Sequence, residues 1–362
     1  MSPDGPPRGL DDRPASTPPV DGLLLVSFGG PEGPQDVLPF LHNVTRGRDI
    51  PPARLAEVAR HYLDTFGGVS PINAQARALS AALQAELAAR GPRLPVYWGN
   101  RNWRPYLTDA VRQMRDDGVR HALAVVTSAF PSYSGCRQYR EDWARARDEV
   151  GQGAPVISKL RHYWAEEGFL GAMARNVEAT RPAPRAHLVF TAHSIPTAMD
   201  AASGPTGGAY TATLRAAAAG IVQRLETEHP WELVFQSRSG SPQVPWLEPD
   251  VGDHVEALHA KGVSEVVLVP VGFTSDHVEV LYDLDVVVQQ RARALEGLVV
   301  KRASTVGVAP QFVAMLRDLV VERIEGDELP SHGAPATHDR CPAGCCPPPA
   351  RRPAAAGAVT PP

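Results

Sequence analysis

The 362-residue sequence has little of several things, and each shortage removes a class of function. It has no surplus of basic charge, since 36 Lys and Arg stand against 40 Asp and Glu for a formal net charge of −4. A nucleic-acid binder usually carries a basic excess on one face, so no nucleic-acid partner is expected. No apolar run approaches the roughly 20 residues that a membrane-spanning helix needs, so no transmembrane segment is expected either. The opening stretch MSPDGPPRGLDDRPASTPP lacks the apolar core of a secretory signal, which reads as a cytoplasmic protein. No G-x-G-x-x-G follows the first apolar run and no G-x-x-x-x-G-K-S/T is present, which argues against a dinucleotide site and a P-loop. A G-x-S-x-G nucleophile elbow, a C-x-x-C pair and an internal repeat are also missing. Cysteine is scarce, and four in a chain of this size cannot build a disulfide scaffold.

What is present reads as a globular α/β protein. Hydrophobic residues make up 43% of the chain, an ordinary share. The length suggests two domains. Short apolar runs at 22–28, 95–100, 121–130, 186–193, 232–237 and 265–273 alternate with helical patterns at 73–90, 103–117, 137–149, 164–180, 208–228, 250–261, 277–295 and 309–325. Near-continuous apolar runs suit strands covered on both faces, so the alternation predicts parallel sheets, with about four strands in each of two halves that meet near residue 150. The Pro- and Ala-rich stretches 1–20 and 327–362 cannot bury enough apolar surface to offset their ordering entropy and are expected to be disordered tails, apart from whatever the cysteines hold.

In open parallel sheets, ligands bind beyond the carboxyl ends of the strands. That rule selects Ser27–Gly29, Ser128–Phe130, His193-Ser194, Gln236–Arg238 and Ser275–His277. His193 closes the run LVFTAH just before SIP, where Pro196 disfavours helix at the preceding residue. Glu279 follows VVLVPVGF, and the spacing of Asp276, Glu279 and Asp283 predicts one shared helical face. An imidazole facing a carboxylate can ligate a borderline divalent ion or move protons near neutral pH. The bland alternative is a helix start dressed with acids plus a loop histidine satisfied by backbone.

Five segments carry a resemblance: LLLVSFGGPEGPQDVLPFLHNVTRGR at 23–48, FGGVSPINAQA at 66–76, TAHSIP at 191–196, QSRSGSPQVPWLEP at 236–249 and VGFTSDHVEVLYDLD at 271–285. Together they strongly resemble the ferrochelatases, in order and over the whole compact region. The resemblance implies two similar Rossmann-like domains, 21–150 and 151–305, around a porphyrin cleft, with the C-terminal helix 306–326 returning to the first. It implies that His193 and Glu279 meet the Fe2+ substrate and accept the pyrrole protons, and that Ser70, Tyr139, Arg46 and Phe28 contact the porphyrin. Phe28 stands where related bacterial enzymes often carry a tyrosine, and a phenyl ring cannot ligate the metal. Bland readings are an N-cap for Ser70, a core aromatic for Tyr139 and a solvated charge for Arg46. Glu279 and Asp283 continue a line of acids, but the next station is Val287.

Cys136, Cys341, Cys345 and Cys346 supply the four thiolates that a 2Fe–2S cluster needs; a four-thiolate zinc site and a free tail are the rivals. Actinobacterial ferrochelatases carry a similar C-x-x-x-C-C tail, and that similarity implies the 2Fe–2S cluster. Resemblance to those enzymes also implies coproporphyrin III as substrate, with protoporphyrin IX as the alternative, and a soluble monomer is expected. A haem-delivery module without turnover and a chelatase for another ring remain as other classes. The first has no need of a proton acceptor over the ring, and the cobalt enzymes of the second tend to present paired histidines.

Overall fold

The computed structural model describes residues 18–47, 50–239, 243–326, 341–342 and 344–348. Eight strands form two four-stranded parallel sheets flanked by helices: β1 (Gly22–Ser27), β2 (Val96–Asn100), β3 (His121–Val126) and β4 (Val156–Lys159) in the order β2-β1-β3-β4, and β5 (His187–His193), β6 (Trp231–Gln236), β7 (Glu265–Val269) and β8 (Val299–Arg302) in the order β6-β5-β7-β8. Each sheet places its first strand between the second and third. The strand order therefore reverses at β1 in one sheet and at β5 in the other, and such switch points open a crevice at the carboxyl ends of the strands. The central strands are buried on both faces, as the apolar runs LLLV in β1 and LVF in β5 require.

Several expectations need correction. The first sheet extends past residue 150, because β4 pairs with β3 from His121↔Val156 to Ala124↔Lys159. Strand β3 ends at Val126 and β7 at Val269, earlier than their apolar runs, and the remaining residues turn inward as loops. Residues 18–20 belong to the fold, since the Pro18 carbonyl lies 2.8 Å from His121 Nδ1 and Val20 packs on the core. The rest of the expected N-terminal tail, 1–17, and residues 327–340 and 349–362 lie outside the described residues.

The largest apolar core spans both halves and is closed by the helix Pro310–Glu325, which packs on the helices Ile72–Arg90 and Glu167–Ala179. Arg161, buried after β4, donates to both carboxylate oxygens of Glu322 at 2.7 and 2.9 Å and to Glu166 at 2.6 Å. Arg317 donates to the Arg90 and Gly91 carbonyls at the C-terminal end of the helix Ile72–Arg90. Among the described residues, three π-helical turns interrupt the helices at His61–Thr65, Tyr133–Arg137 and Tyr282–Val287. Such wide turns concentrate at functional sites, and all three border the features described next.

Candidate active site

Strand β5 delivers His193 to the crevice of the second sheet as its last residue. The loop after β7 must cross directly over β5 to bring Glu279 alongside, and Gly272 permits this. A Cβ there would lie 2.6 Å from Ala192 Cβ, while the Gly272 N–H donates to the Thr191 carbonyl at 3.0 Å. The Gln75 side chain then grips the loop from the other half of the molecule, accepting from the Asp276 N–H at 2.9 Å and donating to its carbonyl at 3.3 Å. His277 caps the helix Val278–Leu281, its Nδ1 accepting from the Glu279 N–H at 3.2 Å. Asp276 precedes the helix and pairs with Arg302, so it does not share the helical face expected for it.

The result is a histidine–carboxylate pair with Nε2 of His193 3.6 Å from Oε2 of Glu279 and side-chain exposures of 31% and 47%. His193 Nδ1 lies 2.5 Å from the Ser194 carbonyl, which can only accept; Nδ1 therefore carries a proton, and in the neutral tautomer of the ring the lone pair is on Nε2. Tyr210 Oη donates to the His193 carbonyl at 2.9 Å and pins the backbone beneath the ring.

Asp283, on the π-helical turn after Glu279, accepts from Ser237 Oγ and, at 3.4 Å, from Gln236 Nε2. Ser237 holds a left-handed φ of 60°, a conformation unfavourable for a residue with a Cβ, and this aims its hydroxyl at the acid. Burial and the nearby Glu279 charge, against the Ser237 hydrogen bond, push the Asp283 carboxyl up to about 6. Burial lowers the pKa of His277 despite Glu279 nearby, favouring a neutral ring that can accept from the Glu279 amide.

The opposite wall comes from the first half. His61 stacks on Tyr282 with ring centroids 4.0 Å apart, and Val278 packs with Val37, Phe40 and Tyr62. Burial, with Glu279 adding to it, raises the Tyr62 phenol far above its usual range, so it stays protonated. Phe28 leaves β1 36% exposed and meets Phe40 edge-on, an apolar surface open to a ligand. Ser70 is buried against Gly30 and makes no cap on the following helix. Tyr139 is buried in the first-half core, with the Arg101 guanidinium 3.6 Å over its ring centroid. Arg46 is exposed and lines a polar cavity of about 780 Å³ with Asn100, Arg101, Gln138 and Asp142. Sequence reasoning missed Gln75, although it lies inside a quoted segment; Ser237 and His277 were selected by the carboxyl-end rule, without the positioning roles they have here.

The four cysteines form one buried cluster. Cys136 rises from the π-helical turn Tyr133–Arg137, while Cys345 and Cys346 place their sulfurs 3.8 Å apart. The Gly204 N–H donates to Cys346 Sγ at 3.1 Å, and the positive charge of buried Lys159 favours the thiolates of Cys136 and Cys346. As free thiols, Cys136 is pushed up by its bond with Cys341 and by burial, whereas Cys346 is held at about 7 chiefly by its bond from Cys345.

Two parallel sheets whose crevices face one histidine–carboxylate pair define a chelatase-type fold. SirB from Bacillus subtilis, solved with Fe3+, matches with a TM-score of 0.51 at 13% identity, covering 85% of this chain and 98% of that one, a likeness of fold alone. The family model described as Ferrochelatase matches residues 20–324. The chain is 53% identical to a coproporphyrin III ferrochelatase of Streptomyces coelicolor, over 95% of this chain and 97% of that protein. It is 53% identical to a protein of the same description from Frankia alni over 92% and 88%, and 49% identical to a ferrochelatase of Rhodopirellula baltica over 94% and 97%. The chain belongs to the ferrochelatase family. No helix among the described residues is long and apolar enough to cross a membrane.

Proposed function

We propose that this chain inserts Fe2+ into coproporphyrin III, the ring named in the descriptions of its Streptomyces and Frankia relatives. The observation that carries the reading is Nε2 of His193 set 3.6 Å from the Glu279 carboxylate at the crevice mouth. Insertion releases two pyrrole protons and requires an ion that exchanges water for weak ligands before it meets the ring. Nε2 of His193 accepts one proton and the Glu279 carboxylate the other, and the two groups also serve as the weak, exchangeable ligands of the incoming ion. Asp283, poised near 6, is placed to take a proton onward, away from the ring. Phe28 supports the apolar side of the ring and supplies no metal ligand. Ser70, Tyr139 and Arg46 are proposed as porphyrin contacts; Ser70 and Tyr139 are buried, whereas Arg46 is exposed and lines a cavity where its charge suits a propionate.

Absorbance assays of Fe2+ insertion into coproporphyrin III and protoporphyrin IX, run side by side, test the substrate. Preference for protoporphyrin IX would overturn the ring assignment. Product that stops at one ring per chain would overturn turnover itself and favour a haem carrier.

Cys136, Cys341, Cys345 and Cys346 are proposed to hold a 2Fe–2S cluster. Soft donors, burial, the Gly204 N–H on a sulfur and the Lys159 charge suit a thiolate-ligated, negatively charged group. When bound, such a cluster supplies one-electron redox chemistry. These residues themselves tie 341–342 and 344–346 to the π-helical turn at Tyr133–Arg137 and to the Gly204 loop, a stabilising role that involves no step of insertion.

A further inference from the structure

Strand β5 carries a histidine at each end. His187 opens it, Glu232 is the second residue of β6, and His254 lies in the first turn of the helix Val251–Ala260. Val189 and Val234 are buried beneath that helix, and the two-residue alternation of strands puts His187 and Glu232 on the same face. On the helix, His254 follows Val251 by three residues and precedes Leu258 by four, both of which enter the same core. Three elements thus bring three donors to one edge of the second sheet. His187 Nε2 touches Glu232 Oε2, His254 Nε2 lies 3.4 Å from that same oxygen, and the three atoms fall within 4.8 Å of one another. Burial raises the pKa of Glu232, but its bonds to the two imidazoles outweigh this and keep the carboxylate charged.

We propose that His187, Glu232 and His254 form a second cation site, which takes a borderline first-row divalent ion such as Zn2+. Two imidazole nitrogens and one carboxylate oxygen are the donor set such ions favour, and the exposed side of Glu232, 46% open, leaves room for water to complete the shell. The site is separate from the insertion centre. Six strand steps divide His187 from His193, about 20 Å at roughly 3.3 Å per residue. An ion held at the amino end of β5 cannot reach a ring above His193. It would instead clamp β5, β6 and the helix Val251–Ala260 together.

Zn2+ uptake by the whole chain, measured by dialysis and metal analysis, tests this in the wild type and in His254→Gln, Glu232→Gln and His193→Ala. Zinc taken by the cysteine cluster is common to all four and cancels. His254→Gln and Glu232→Gln should each lose one equivalent, or bind it at least tenfold more weakly, while His193→Ala keeps it. Zn2+ should also raise the melting temperature of the wild type and of His193→Ala, and not that of His254→Gln. Wild-type uptake and affinity in both His254→Gln and Glu232→Gln would overturn the site and leave a hydrogen-bonded trio. Loss of the same equivalent in His193→Ala would assign it to the insertion centre. The two substitutions act independently, so misfolding of one leaves the other to decide.

Discussion

Asp283 is the acid most at odds with its surroundings, and replacing it tests how much the site costs the fold. Burial and Glu279 raise its pKa, the Ser237 hydroxyl and the nearby His193 oppose the rise, and more distant Asp250 adds to it; the outcome is about 6. An unfolded Asp titrates near 3.9, so the gap of about 2 units corresponds to about 3 kcal/mol against the charged form. The folded pKa is the raised one. The stabilising contribution is therefore complete below about pH 4 and is lost as pH climbs through about 6. Asp283→Asn keeps the shape, lets the amide oxygen accept from Ser237 and removes the charge. At pH 7.5 the variant should be more stable than the wild type by about 3 kcal/mol, and at pH 4.5 the advantage should shrink to about 1 kcal/mol. Urea unfolding of the porphyrin-free protein, followed by tryptophan fluorescence at the two pH values, measures both. A variant no more stable than the wild type at pH 7.5, or one with an equal gain at both, refutes the reasoning. Insertion should slow in the same variant, since a stable neutral amide cannot take a proton onward.

His193→Ala should lower Fe2+ insertion by roughly 100- to 10,000-fold, the usual contribution of a positioned base, while porphyrin binding by fluorescence quenching persists; ring binding with undiminished turnover would sink the assignment. Glu279→Gln should cut kcat more than porphyrin affinity, and an equal loss in both would point to a binding role. Cys136→Ser should bleach the visible absorbance of the purified protein and speed proteolysis after residue 326. A colourless wild type prepared without oxygen and holding one zinc at the cysteines would decide for the rival metal. Glu322→Ala leaves Arg161 buried with Glu166 alone and should cost about 3–5 kcal/mol, read as a lowered denaturation midpoint; a cost near zero would show that water reaches the guanidinium.

The strands legible in the sequence are those buried on both faces. LLLV in β1 and LVF in β5 are apolar without interruption because helices cover each side. VISK in β4 and VVKR in β8 escaped because both are short edge strands with a charged residue at or near the end, and β8 is only partly buried. His193 and Glu279 were legible because the carboxyl-end rule and the quoted segments select the same residues. The π-helical turn that carries Asp283 was not, since apolar spacing cannot tell a single wide turn from an ordinary one. Gln75 escaped for another reason: its partner, the backbone of Asp276, lies 201 residues away and leaves no trace in side-chain pattern. His187, Glu232 and His254 share no local motif and become neighbours only through the strand register.

The seating of the last helix bears on how the molecule is made. Arg317 satisfies carbonyls at Arg90 and Gly91, 227 and 226 residues earlier, and Phe312, Leu316 and Leu319 complete the core that begins with Leu23 and Leu83. During synthesis the first half leaves the ribosome with that surface bare, and it stays bare until the second half has been translated. Contacts so distant in sequence form slowly, and exposed apolar surface invites wrong partners meanwhile. The nascent chain is therefore most vulnerable between the completion of β4 and the arrival of the helix Pro310–Glu325. A chain stalled in that interval would be a natural client for chaperones that shield apolar surface.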